Sequence, residues 1–162
     1  MNFASRILVV TSGTILTMSC GSSSDLAERQ EAVAVAGAEV MPFDLDATTH
    51  IFTDTDTGGV QEVVADDPND TANVEMIAQH LAEEAGKFQA GDFSDPEAIH
   101  GRSMPGLAVL EARYAEIDVE LVTGDDGSTL IYTTDDPELV KAIHDWFEAQ
   151  ASDHGEHAEH DA

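Results

Sequence analysis

The chain has 162 residues, a single cysteine, and 33 acidic against 6 basic side chains, for a formal net charge of −27. A chain of this length fits one domain with processed or flexible ends, and one cysteine leaves no disulfide framework and no thiolate metal cluster. The acidic excess excludes a nucleic-acid surface and a basic membrane-binding patch; it draws cations and keeps a protein hydrated in salt.

The opening, "MNFASRILVVTSGTILTMSC", has the form of an export signal: Arg6 precedes an apolar run, Ile7 to Met18, too short to span a bilayer stably. Ser19-Cys20 followed by "GSSSD" resembles the lipobox of bacterial lipoproteins, with Thr17 standing where leucine is preferred. This reading makes residues 1–19 a signal peptide and Cys20 a lipidated first residue. The alternative is ordinary signal cleavage further on, for example after Ala36. Residues 20–40, small, polar and alanine-rich, read as a flexible tether with at most a little helix. The protein is thus expected outside the cytoplasm, lipid-anchored on the cell envelope or periplasmic, and bound to membrane only through the lipid.

Order is expected from residue 41 to residue 152, and the main feature of that span is an internal repeat. "HIFTDTDTGGVQEVVADDP" (50–68) aligns with "VELVTGDDGSTLIYTTDDP" (119–137) at an offset of 69. Gly58 falls on Gly127, Val63 on Tyr132, and Asp66-Asp67-Pro68 on Asp135-Asp136-Pro137. Each copy alternates apolar and polar residues about an Asp/Thr/Gly turn, the pattern of a hairpin. After each "DDP" the period lengthens to that of a helix: Val74, Ile77, Leu81, Ala85 and Phe88 share one face, as do Val140, Ile143, Phe147 and Ala151. The helices align at offset 66, because "NDTAN" gives the first copy three extra residues.

One hairpin-helix unit cannot bury its apolar face alone, whereas two can share a core. The expected fold is α+β: a duplicated ββα unit (47–91 and 116–152), with a four-stranded antiparallel sheet and helices packed on one face. The insert 92–115 has no counterpart in the second unit. In it, "SDPE" places an N-cap at Ser94 before a short helix running to His100, and "MPGLAVLEARYAEI" starts another with Leu107, Leu110 and Tyr114 inward. Residues 153–162, "DHGEHAEHDA", read as a mobile tail whose His154, His157 and His160 can hold a divalent ion weakly.

"GDFSDPEAIHGRSMPGL" together with "YTTDDPELVKAIHDWFEAQASDHG" resembles a family of small exported bacterial proteins, over roughly residues 41 to 157. The resemblance implies a shared fold and carries no reaction with it. An aspartate carbamoyltransferase role, which such sequences sometimes suggest, is not supported. The Ser-Thr-Arg-Thr motif for carbamoyl phosphate is absent, and Cys20 alone cannot supply the four zinc-binding cysteines of the regulatory chain.

The candidate site begins at "IHGRSMPG" (99–106), where His100 and Met104 stand four apart between glycines. Imidazole with thioether suits copper or haem iron. The competing reading has His100 closing a helix and Met104 filling the core. The repeat adds two histidines: His50 aligns with core-facing Val119, and His80 with Trp146. A histidine in an apolar partner's place must hydrogen-bond or bind something, since an unsatisfied buried ring costs about 1–3 kcal/mol. Thr48, Thr53 and several aspartates could supply such bonds. His50, His80, His100, Met104 and His144, with Met76 one turn before His80, form the soft-ligand set expected to hold a transition metal, copper first. No C-x-x-C-H motif provides for covalent haem, and Walker, G-x-S-x-G and EF-hand patterns are absent. The expected function is therefore an exported binding protein. A cofactor-free structural or partner-binding module, able to pair with itself, is the alternative; a hydrolase or lyase using His with Asp or Glu lacks a nucleophile.

Overall fold

The computed structural model describes residues 22–162, so the segment read as an export signal and the expected lipidation residue Cys20 lie outside the described residues. Helix α1 (Ser22–Val40) leads into strands β1 (Thr48–Thr55) and β2 (Gly58–Ala65), then helix α2 (Thr71–Gln89). Two short helices follow, α3 (Ser94–His100) and α4 (Leu107–Arg113). Strands β3 (Asp118–Thr123) and β4 (Gly127–Thr133), helix α5 (Pro137–His154) and strand β5 (Ala158–Asp161) complete the chain. The fold is α+β: five helices and a five-stranded mixed sheet with helices packed against it.

Sheet order is β3-β4-β2-β1-β5. The first four strands are antiparallel, and β5 adds to β1 in parallel, so the sheet is five-stranded and mixed where four antiparallel strands were expected. The extra strand comes from the segment read as a tail: "AEHD" is short and polar, but β1 presents an open edge that it pairs with. The segment read as a tether forms α1, docked on α3 and α5. Its buried line is narrow, Val33 and Gly37, continued at the same four-residue spacing by Met41 just past its end, with Val33 only 1% exposed.

Turn chemistry sets the two hairpin-helix units. In the second, Asp136 caps α5 by accepting from the backbone N–H of Glu138 and Leu139, with Pro137 in the first turn. In the first, the three extra residues move the cap to Asp70, which accepts from Asn73 N–H. The hairpins meet through β2 and β4. Gly58 pairs with Thr133, Val64 with Gly127, and Gln61 with Leu130, whose separation equals the repeat offset of 69. The pairing is therefore symmetric about a pseudo-twofold axis at Gln61 and Leu130. Helix α2 lies over β3 and β4, and α5 over β1 and β2, so each helix covers mainly the other unit's hairpin.

The shared core contains Phe52, Val63, Ile77, Leu130, Ile143 and Phe147. Two glycines allow α5 its close approach. A Cβ on Gly59 would stand 2.3 Å from the Phe147 ring, and one on Gly106, at φ 75°, would stand 2.0 Å from the Ala142 carbonyl oxygen. Gly106 belongs to "IHGRSMPG", so that loop packs directly on α5. Ser94 is the first residue of α3 and not its cap; its N–H is taken instead by the Asp92 carboxylate. Among the described residues no helix is long and apolar enough to cross a membrane.

A candidate histidine cavity

Beneath the end of α1, between α2, α3 and α5 and above the central strands, lies a cavity of about 40 Å³. Its wall includes Met41, His50, His80, Glu84, Gln150 and His154. The space suits water or a small ion, and falls well short of the several hundred cubic ångströms that an organic cofactor fills.

His50 reaches the cavity from β1, in the register that faces the core, and is 4% exposed. Its Nδ1 is buried without a hydrogen-bond partner. The ring stacks on His154, centroids 4.8 Å apart and planes 7° from parallel, with Phe43 and Phe52 on its other contacts. Burial, reinforced by neighbouring imidazoles, lowers its pKa to about 4. The ring is neutral near pH 7, the form that ligates metals. Burial likewise lowers the pKa of His154 and of His80, which meets Phe43 edge-on at 5.6 Å.

His100 touches His154 from a second side, centroids 5.1 Å apart. Its Nδ1–H donates to Asp153 Oδ2 at 2.8 Å, and the Arg29 guanidinium grips both oxygens of the same carboxylate. Burial alone would raise the Asp153 pKa, but the hydrogen bonds from His100 and Arg29 outweigh it and hold the group at about 2. Arg29 also donates to the His100 carbonyl at 2.7 Å, so α1 is fastened to both ends of this contact. On the α2 side, Lys87 joins Glu84 and Asp95. Burial pushes the Glu84 carboxyl up to about 7 despite that partner.

The structure therefore brings His50 and His100 together through His154 and sets His80 in the same cavity wall as His50. Met104 lies in the apolar core, 6% exposed, outside the cavity wall, and Met76 packs against the core from α2. His144 is remote: its Nε2 lies against the Gly58 and Thr55 carbonyls at the β1–β2 turn. Among the imidazoles and thioethers of the wall, Met41 and His154 are the ones that the sequence did not place in the site. His154 was within reach, because the helix offset of 66 sets it opposite Phe88, another histidine in an apolar partner's place. His157 stands near Asp46 and lines a second small cavity with His50 and His154.

Among the described residues no three His, Cys, Asp or Glu side chains are already gathered as a metal-binding group. The rings touch face to face or edge to face, and a ligand would have to turn them. Comparison with protein-family models, curated proteins and solved structures finds no match.

Proposed function

We propose that this is an exported, non-catalytic binding protein of the cell envelope, anchored through lipid on Cys20, whose cavity takes one transition-metal ion, copper first. His50, His154 and Met41 are the ligands, with His80 across the cavity and His100 fixing the His154 ring. The carrying observation is the unpartnered Nδ1 of His50, buried in a wall that also holds two further imidazoles and a thioether. Soft sulfur with neutral nitrogen suits Cu(I) above harder ions. Rotation of His154 out of its stack exchanges a ring contact for a coordination bond. Met104 and His144 stay outside this set. The same reading takes the two hairpin-helix units as a duplicated ββα element, one copy of which has exchanged apolar residues for His50 and His80.

The test uses the intact chain with Cys20→Ser, which removes the competing thiol, titrated with Cu(I) against a chromophoric chelator. One equivalent should bind with Kd below about 1 µM, and His50→Ala should weaken it at least about tenfold. Absence of such binding, or binding unchanged in His50→Ala/His154→Ala, would overturn the proposal.

A further inference from the structure

Midway along α5, ten residues before His154, three side chains from three elements meet away from the cavity. His144 comes from α5, Asp54 from the end of β1 and His160 from β5. Asp54 Oδ2 lies 3.4 Å from His144 Nδ1, and Oδ1 lies 3.1 Å from His160 Nε2. All three are partly screened from solvent, and none belongs to the cavity wall.

Proton placement makes this contact unusual. His144 Nε2 is 2.8 Å from the Gly58 carbonyl oxygen and 3.1 Å from that of Thr55. Both partners only accept, so Nε2 carries a hydrogen. A neutral His144 ring then presents the Nδ1 lone pair to a carboxylate, which also only accepts. Two acceptors facing one another need a cation between them. The second nitrogen of a metal-bound histidine is commonly fixed by a backbone carbonyl in this way.

The spacing on the His144 side agrees with that role. Two donors about 2.0–2.2 Å from a tetrahedral ion stand about 3.3–3.6 Å apart, which matches the 3.4 Å from His144 Nδ1 to Asp54 Oδ2. The 3.1 Å contact of His160 Nε2 with the other oxygen, Oδ1, is a hydrogen bond that a metal would replace. The donors are nitrogen and carboxylate oxygen without sulfur, which favours Zn²⁺ over Cu(I). These three side chains are not already gathered as a metal-binding group, so coordination has to swing the two ring nitrogens to one side of the carboxylate. Solvent can supply the fourth ligand.

We infer that Asp54, His144 and His160 form a second, independent site for a divalent ion of the zinc type, which staples β5 to β1 and α5. The inference does not rest on the copper reading, and different residues test it. His160 is carried by a strand of only four residues, so an ion there would stabilise the sheet edge locally.

The experiment is equilibrium dialysis of the intact Cys20→Ser chain against Zn(II), with Co(II) as a spectroscopic probe and amide hydrogen exchange across β5. The expected result is one retained equivalent, visible Co(II) bands of a four-coordinate site, and slower exchange over Ala158–Asp161 when metal is present. Affinity should fall at least tenfold in Asp54→Asn and in His160→Ala, and stay unchanged in His50→Ala and His157→Ala. His144→Gln can keep the bond to the Gly58 carbonyl, so its loss of affinity would report the missing Nδ1. Circular dichroism establishes that each variant is folded. No retained zinc would show that a proton supplies the cation, and would overturn the inference. So would zinc held equally by the Asp54→Asn/His160→Ala variant, which would be chelation by other histidines, or β5 exchange indifferent to metal.

Discussion

His50 and Glu84 face one cavity and respond to acid in opposite senses. With a folded pKa near 4, His50 takes up protons more readily in the unfolded chain, where imidazole titrates near 6.5. Between these values the unfolded state binds more protons, so its contribution to stability is full above about pH 6.5 and is lost as pH falls toward 4, on the order of 3 kcal/mol in all. His80 and His154 add slopes of the same sign. Glu84, raised from 4.5 to about 7, binds more protons when folded and loses stability as pH rises through that window. Urea denaturation between pH 4.5 and 7 should therefore show stability rising with pH in the natural chain, more steeply in Glu84→Gln and less steeply in His50→Leu. His50→Leu should also match or exceed the natural chain at pH 7 by about 1–2 kcal/mol, because it removes an unsatisfied buried nitrogen. A marked loss of stability there would mean that Nδ1 has a partner. The repeat makes the oddity of His50 legible in the sequence, since Val119 takes its place in the other unit. What it meets was not legible, because the stacking partner lies more than a hundred residues away, in a segment read as tail.

At the scale of elements, the strongly periodic parts were readable and the weakly periodic ones were not. The hairpins and the helices after each "DDP" follow from alternation and capping, and the sheet joins them where the repeat offset leads one to look. Helix α1 escapes such reading because its buried stripe is one residue wide and its mean hydropathic character is low. Long-range polar contacts hold it: Arg29 to Asp153 and to the His100 carbonyl, and Gln30 to the Ser152 carbonyl. Strand β5 escapes for a related reason, being a polar segment that acquires structure from the edge it joins. Arg29→Ala should therefore release α1 selectively. Protection of residues 22–40 from hydrogen exchange should drop by about 1–3 kcal/mol while α5 keeps most of its own. Equal losses in both helices would show that α1 is integral to the cooperative unit.

Over the whole molecule, the formal charge of −27 is the largest unbalanced quantity, and pairs such as Arg113 with Asp136 and Glu116 neutralise only a little of it. Like charges at this density repel one another within about 8–10 Å at ordinary ionic strength, and that repulsion weakens as salt is added. The melting temperature should rise with sodium chloride from low to near-molar concentration, with most of the gain at the low end. A melting point that falls over that range would mean that the ion pairs outweigh the net repulsion. The pseudo-twofold arrangement helps the compact state against this charge. Each helix roofs the other unit's hairpin, so neither unit can open without uncovering both.

The docking of α1 also decides how the domain would be held. Nineteen flexible residues would let it wander and tumble some 25 Å from an acyl group, whereas α1 carries the chain back along the body and leaves it at Ser22, with Gly21 alone between that point and Cys20. Under the proposed anchoring, a lipid there would act as a short mount, not a leash. The domain would then present one fixed aspect to the bilayer, and any hand-over of a bound ion to a membrane partner would be a matter of orientation more than of search.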